Sequence, residues 1–399
     1  MSVLAPLAPY RGILTLPRVR SLLLVTLLAR IPVGAASVAL TLHVVLTLHE
    51  GFGAAGAVGA ALTVGAALGA PLMGRTTDRR GLRRTLMLTT LAQGAFWLLA
   101  PTLPYPVLVP AAFFGGLLSL PLFSVSRQSL AALVPEDRRR TAYSLDSMAV
   151  EVSYMVGPAA GVLLATQLST RVALLAMGGS MMASGLLLYL LDPPVRSDAE
   201  RREAEGQAPV LRRHWMTDRL VVVLVASAGA TLVLSGTDIG IVATLRHAGE
   251  LKWSGLVIAI WCCWSLMGGF VHGSLRRSLP ALALMELLCV LTIPVGLAGH
   301  WWAVALALIP TGAMCAPTLA STGEVVSRLA PAASRGEAMG LHGSALTAGL
   351  ALGAPLVGVV VDRSSPAMGF AVAGAAGAAL GLIGLAAGQV RRWTSGKSP

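Results

Sequence analysis

The chain has 399 residues, 55% of them hydrophobic and only 12% charged, with a mean hydropathy of +0.75. That balance excludes a water-soluble globular domain of this length and implies a polytopic membrane protein. The formal charge of +12 does not point to nucleic acid, because the arginines come as short clusters between apolar runs rather than along one soluble face.

A hydrocarbon core of about 30 Å takes roughly 20 apolar residues per helix, so each long uncharged run is read as one crossing. The first, 21–48, is too long for a signal peptide and has no small-residue cleavage site, so it is expected to remain as helix one. Further runs follow at 53–75, 84–103, 106–130, 141–165 and 171–191. A polar stretch, DPPVRSDAERREAEGQAPVLRRHWMTD, then interrupts the pattern with a Pro-Pro stop and mixed charge. Six more runs occupy 220–245, 253–273, 279–299, 301–326, 336–361 and 366–390. Runs this continuous exclude the alternating strands of a barrel. The expected fold class is an all-α membrane protein of twelve transmembrane helices in two six-helix pseudo-symmetric bundles. The expected domains are an N-terminal bundle at 1–192, a cytoplasmic linker at 193–218 and a C-terminal bundle at 219–399.

Basic residues alternate with the crossings. If the N-terminus is inside, the outer loops hold only Arg171, Arg246, Lys252 and Arg363, Arg30 is within a crossing, and the rest lie at the inner face. The positive-inside rule therefore places both termini in the cytoplasm. All basic residues but Lys252 and Lys397 are arginine, and alanine and glycine abound, a bias that fits a GC-rich bacterial genome and hence a bacterial cytoplasmic membrane. Cys262, Cys263, Cys289 and Cys315 fall inside apolar runs with no CxxC spacing and read as packing residues, so neither a metal nor a cofactor is expected.

The halves repeat each other. LMGRTTDRRGLRRTL (72–86) has a counterpart in LMGGFVHGSLRRSL (266–279). A constant offset of 196 superimposes Gly116 on Gly312, Pro121 on Pro317, Leu133 on Leu329, Pro135 on Pro331, Arg139 on Arg335, Ala142 on Ala338, Leu145 on Leu341 and Gly157 on Gly353. Such agreement signals an internal duplication, and parallel six-helix repeats are a transporter architecture.

The loop after the second crossing reads Gly74, Arg75, Thr76, Thr77, Asp78, Arg79, Arg80, Gly81, Leu82, Arg83, Arg84. With Leu82 as the one insertion, it resembles the G-x-x-x-D-R-x-G-R-R signature of the major facilitator superfamily, and the resemblance extends over essentially the whole chain. It implies a cytoplasmic latch made by Gly74, Asp78, Arg79, Gly81, Arg83 and Arg84, in which Asp78 meets the start of a helix in the other half, with Arg127 as a partner, and holds the outward-open state. The alternative is a loop that only sets topology. His272 and Gly273 stand where the second half would carry an acid, so the latch is expected on one side only. In the fifth crossing, YMVGPAAG with Gly157, Pro158 and Gly161 resembles the tail of a motif associated with antiporters; read from the residues alone it is a helix-packing device.

Ionisable groups at bilayer depth are costly and mark function. Arg30 and Glu151 both lie about ten residues into their crossings, and the resemblance makes helices one and five neighbours, so a pair between them is expected. Glu151 would then bind the coupling proton, with Arg30 favouring its charged form or binding an anionic substrate group; the alternative is a permanent structural ion pair. Asp146, about 140° around the same helix, is expected to meet water or Arg138–Arg140. Asp238, toward the outer half of helix seven, is a proton or substrate candidate because that helix lines the cavity in this family; the alternative is a solvated helix-end acid. Glu324 is read as a local pair with Arg328, and His43 and His342 as packing residues. No arginine precedes Arg127 in helix four, where proton-driven exporters of the family often carry one. Phe113, Phe114, Trp261, Trp264 and Met314 are expected to line a cavity suited to apolar or amphipathic cargo.

The function expected from these readings is alternating-access transport, with proton-coupled export of a small hydrophobic or amphipathic compound by a monomer in the lipid bilayer. The alternatives are an uptake carrier or uniporter for a polar metabolite and, from another class, a non-transporting receptor or scaffold. An enzyme is not expected: the chain has no HExxH, GxSxG or paired-acid motif.

Overall fold

In the computed structural model, residues 8–204, 212–275 and 278–394 are described, and they are almost entirely helical. A short helix α1 (Ala8–Leu14) precedes the first half, which comprises α2 (Val19–Leu46), α3 (Phe52–Arg80), α4 (Leu82–Leu99), α5 (Tyr105–Leu117), α6 (Leu122–Leu133), α7 (Arg139–Gln167) and α8 (Thr170–Leu191). Two short linker helices, α9 (Asp198–Ala204) and α10 (Arg212–Trp215), lead to the second half. This comprises α11 (Asp218–His247), α12 (Ser254–Ser274), α13 (Ala281–Thr292), α14 (Trp301–Leu329), α15 (Arg335–Arg363) and α16 (Pro366–Thr394). With α5 and α6 in line as one crossing, each half has six, giving the expected all-α, two-bundle architecture.

The helices run further than the apolar runs. Residues 72–86 are not a loop: α3 continues through Arg80, α4 starts at Leu82, and Gly81 alone turns the chain, at φ 87°. That positive-φ conformation is open to glycine at no steric cost. The fourth crossing breaks at residues 118–121. Pro121 has no amide to continue the ladder, and the preceding Gly115–Gly116 pair weakens the helix entering it. Its repeat partner Pro317 stays inside an unbroken α14.

The offset of 196 found in the sequence carries over to element boundaries. It maps α7, Arg139–Gln167, onto α15, Arg335–Arg363, and the preceding 3-10 turn Glu136–Arg138 onto Ala332–Ser334. Within halves, α2 packs on α7 and α8, and α11 on α15 and α16; across halves, α3 packs on α15 and α7 on α12. The first half has two apolar cores, one around Trp97, Leu108 and Leu174, the other around Leu22, Leu86, Val125 and Leu188.

Candidate functional site

Among the described residues, the side-chain hydrogen bonds and ion pairs between halves lie between mid-bundle and the arginine-rich end that carries the linker. Asp78 is the clearest. The last turns of α3 aim it at the start of α15, whose first amides have no intrahelical acceptor. Its Oδ1 accepts from the Gly336 amide (3.0 Å) and its Oδ2 from the Glu337 amide (2.8 Å). A carboxylate at the positive end of a helix is a charge-assisted arrangement. The two helices reach that separation because Gly74 faces Gly336, and a Cβ on either would strike the other's carbonyl oxygen.

The linker joins this contact. Arg196 Nη2 donates to the Asp78 carbonyl (3.1 Å) and the Ala333 carbonyl (3.3 Å), one from each half. Glu200 accepts from Arg335 at 2.7 and 3.2 Å and from the Ser197 amide at 2.9 Å. Burial raises the Glu200 pKa, but the Arg335 and Ser197 bonds outweigh it and hold it below the usual carboxylate range. The other signature residues do not converge on Asp78. Arg79 and Arg84 are exposed and form no ion pair among the described residues. Arg83 stays within its own half, 3.1 Å from Asp192 and stacked over Tyr189.

At the repeat-related position the roles of side chain and backbone are exchanged. Thr141 Oγ1 donates to the Gly273 carbonyl (2.7 Å) and Arg140 to the Leu275 carbonyl (3.1 Å), so donors on α7 satisfy carbonyls at and just beyond the end of α12. His272, in the place of the acid, bonds Ser278 instead. Arg276 and Arg277, the closing arginines of the second motif, lie outside the described residues.

Arg127 is not part of the Asp78 contact. It is fully buried, and its Nε donates to Asp146 Oδ2 at 3.2 Å. Asp146 is likewise fully buried rather than facing water; its Oδ1 accepts from Arg30 Nη2 at 2.8 Å and from Ser126. Arg30 therefore pairs with Asp146 and not with Glu151. Facing, rather than depth, decides the partner. Gly157 and Gly161 pack against Ile31, Gly34 and Ala35 of α2, and stepping back from them at helical spacing gives Ser153, Val150 and Asp146 on one buried face. Glu151 is one residue past that face, turned toward α12. The glycine spacing thus held the signal that sequence reasoning missed.

Two guanidiniums share one carboxylate, which leaves an excess positive charge. The Phe123 ring faces both, 4.5 Å from Arg127 Cζ and 5.5 Å from Arg30 Cζ. Across the interface, Arg127 Nη1 points at His342 Nδ1 (3.5 Å), while His342 Nε2 faces Thr322 Oγ1 (3.3 Å). A guanidinium only donates, so Nδ1 is the acceptor and Nε2 carries the hydrogen. The space for Arg127 comes from Gly323, where a Cβ would occupy the position of Nη1. The repeat offset carries Arg127 onto Gly323 and Asp146 onto His342. Arg127 therefore enters the place left by its own counterpart.

Glu151 Oε1 accepts from Ser265 Oγ of α12 (2.9 Å), and Ser265 in turn accepts from the Ala316 amide of α14 (3.2 Å). Asp238, on α11, has an exposed side chain with no hydrogen bond or ion pair among the described residues. Of the expected lining, Trp264 and Phe114 are exposed, but Trp261 is core, packed with Val257 and Leu308. His43 bonds Thr170, and Glu324 accepts from Arg328 at 2.6 Å.

The sequence profile of the Major Facilitator Superfamily matches residues 22–298. This chain belongs to that superfamily. Solved structures of the superfamily fold cover nearly all of it at low identity. The human organic anion transporter MFSD10 (TETRAN) matches with a TM-score of 0.72 at 15% identity, over 92% of this chain and 99% of that one. A bacterial homologue of the iron transporter ferroportin, in an outward-facing state, gives 0.70 at 16% identity, over 95% and 100%. The proton:xylose symporter XylE gives 0.68 at 15% identity, over 91% and 94%. No curated protein sequence matches. At these identities the structural matches show the superfamily fold alone, and the chain is accordingly a multi-pass membrane protein of a transporter family.

Proposed function

We propose that this protein is a secondary active transporter working by alternating access, and that it exports a small hydrophobic or amphipathic compound in exchange for protons. The observation that carries the reading is the position of Glu151. Its carboxylate accepts a hydrogen bond from Ser265 of the opposite half at mid-bundle. A carboxylate accepts such a bond more strongly than a carboxylic acid does. Protonation of Glu151 therefore loosens a tie between the halves, which links proton occupancy to the rocking motion.

In this reading the arginine-rich end, with both termini, is cytoplasmic, the membrane is the bacterial cytoplasmic membrane, and the structure is the form sealed on the inside. Asp78 on the α15 N-terminus and the α9 linker hold that seal. Arg30, Asp146 and Arg127 form a permanent structural centre, and Glu151 and Asp238 carry proton and cargo. Exposed Trp264 and Phe114 supply apolar surface. The protein works as a monomer, and small molecules, protons and lipid are its partners.

The test is flux of an amphipathic fluorescent dye in proteoliposomes with an imposed pH gradient. Gradient-driven movement out of the cytoplasmic side is expected, and Glu151→Gln is expected to abolish its dependence on the gradient while leaving counterflow down a dye gradient. Retained gradient dependence transfers the proton role to Asp238. Flux only toward the cytoplasmic side, or of polar metabolites alone, makes the protein an uptake carrier.

A further inference from the structure

A second surface, at the arginine-rich end of the first half, combines charge with apolar lining. A groove of about 520 Å³ lies between α1, the first turns of α2 and one face of α7, lined by Leu14, Leu24, Leu27 and Leu145, with Arg11 and Arg20 at its arginine-rich end. It runs roughly 10 Å along α2, from Arg20 to Leu27. Both arginines are exposed and have no acidic partner among the described residues. Leu24, one turn deeper than Arg20, is half exposed. Cationic at one end and apolar along a membrane crossing, the groove has the polarity of a phospholipid.

We infer that this groove holds one acyl chain of an anionic phospholipid whose phosphate sits between Arg11 and Arg20. Charge complementarity selects the headgroup: unpaired arginines at a membrane surface attract anionic lipid. The leucine lining selects a lipid over soluble phosphate, which would gain nothing from it. The site also bears on conformation. α1 reaches the other half, where Tyr10 donates to the Phe270 carbonyl and its ring stacks on Phe270 at 4.9 Å. Burial pushes the Tyr10 phenol up to about 12, so it remains a donor at any physiological pH. A lipid wedged between α1, α2 and α7 holds α1 in place and with it this bridge, favouring the form sealed at this end.

The experiment titrates full-length detergent-purified protein with dioleoyl phosphatidylglycerol, dioleoyl phosphatidylcholine or inorganic phosphate, reading bound lipid by native mass spectrometry and Tm by intrinsic fluorescence. Phosphatidylglycerol is expected to bind and raise Tm, phosphatidylcholine to bind weakly, and phosphate to change nothing. Each arginine replaced by glutamine is expected to weaken phosphatidylglycerol about five-fold, and Arg11→Gln with Arg20→Gln together roughly 25-fold. Leu27→Trp, which fills the groove, should weaken both lipids regardless of headgroup; if it does not give monodisperse protein, Leu24→Trp at the exposed wall replaces it. Arg219→Gln removes an exposed arginine at the start of α11, away from the groove, and should leave binding unchanged. Equal binding of the two lipids, a Tm rise from phosphate alone, or an equal loss in Arg219→Gln would overturn the site.

Discussion

Two hairpins descend from one duplicated template and have diverged in charge. In α6–α7, Arg127 and Asp146 stand almost equally far from the turn at Glu136–Arg138 and meet as a buried ion pair, joined by Arg30 of α2. In α14–α15 the repeat-related residues are Gly323 and His342, a gap and a neutral acceptor, and Arg127 uses both. The first half carries the charge and the second half provides its receptor. Had both halves kept the ion pair, two guanidiniums would face each other across the interface; the asymmetry is what lets the halves close.

Replacing Asp146 is the strongest way to break this contrast. Asp146→Asn leaves two buried guanidiniums without a counter-charge, at about 3–5 kcal/mol. Thermal unfolding in detergent should show a large loss of Tm or of folded yield, whereas His342→Asn, its counterpart, should cost no more than about 1.5 kcal/mol. Equal costs would mean that the centre is not asymmetric. Next in size is Gly323→Ala, whose methyl must displace the Arg127 guanidinium, at about 1–3 kcal/mol. Gly343→Ala is the control, because a Cβ there meets only Ala70 at ordinary contact distance. Similar Tm values for the two variants would remove Gly323 as the receptor.

The two contacts at the arginine-rich end form a second contrast, one made by a carboxylate on amides and the other by donors on carbonyls. Asp78→Asn keeps the shape but loses the charge-assisted bonds, at about 1–2 kcal/mol. Thr141→Val loses one neutral bond, at about 1 kcal/mol or less. Maleimide labelling of a cysteine at position 344, between α3 and α15, in a cysteine-free background should rise several-fold more for Asp78→Asn. A larger rise for Thr141→Val would reverse the assignment of the dominant tie.

The smallest effect concerns the linker. Because the folded Glu200 pKa lies below its ordinary value, its contribution is present above the usual carboxylate range and is lost as pH falls through the folded value. Proteolysis of the linker should accelerate on acidification below about pH 4.5. Glu200→Gln should be cut faster at neutral pH and show no such acid step, and a wild-type acid step that persists in this variant assigns the titration to another group.

Much of the fold was legible because it rests on local, periodic signals. Apolar runs marked the crossings, and one offset related helices that share their boundaries to the residue. The break in the fourth crossing is not legible, because the apolar run 106–130 is uninterrupted by charge and Pro121 shares its repeat position with Pro317, which stays inside a continuous helix. Of the candidate site, the direction of Asp78 toward a helix start in the other half followed from resemblance. The partner of Arg30 did not, because depth alone ranked Glu151 level with it, while rotation about α7 assigned Asp146.

What the sequence by itself determined is membership of the bilayer, the tally of crossings, their duplication, and the concentration of arginine at one end. These follow from transfer free energy and chain periodicity, which need no knowledge of neighbours. Tertiary structure alone decided which charges meet: one carboxylate between two guanidiniums, a glycine's vacancy filled from the other half, and Glu151 turned toward Ser265. Those outcomes depend on the rotation of packed helices, where 100° per residue separates a buried ion pair from a group facing the interior.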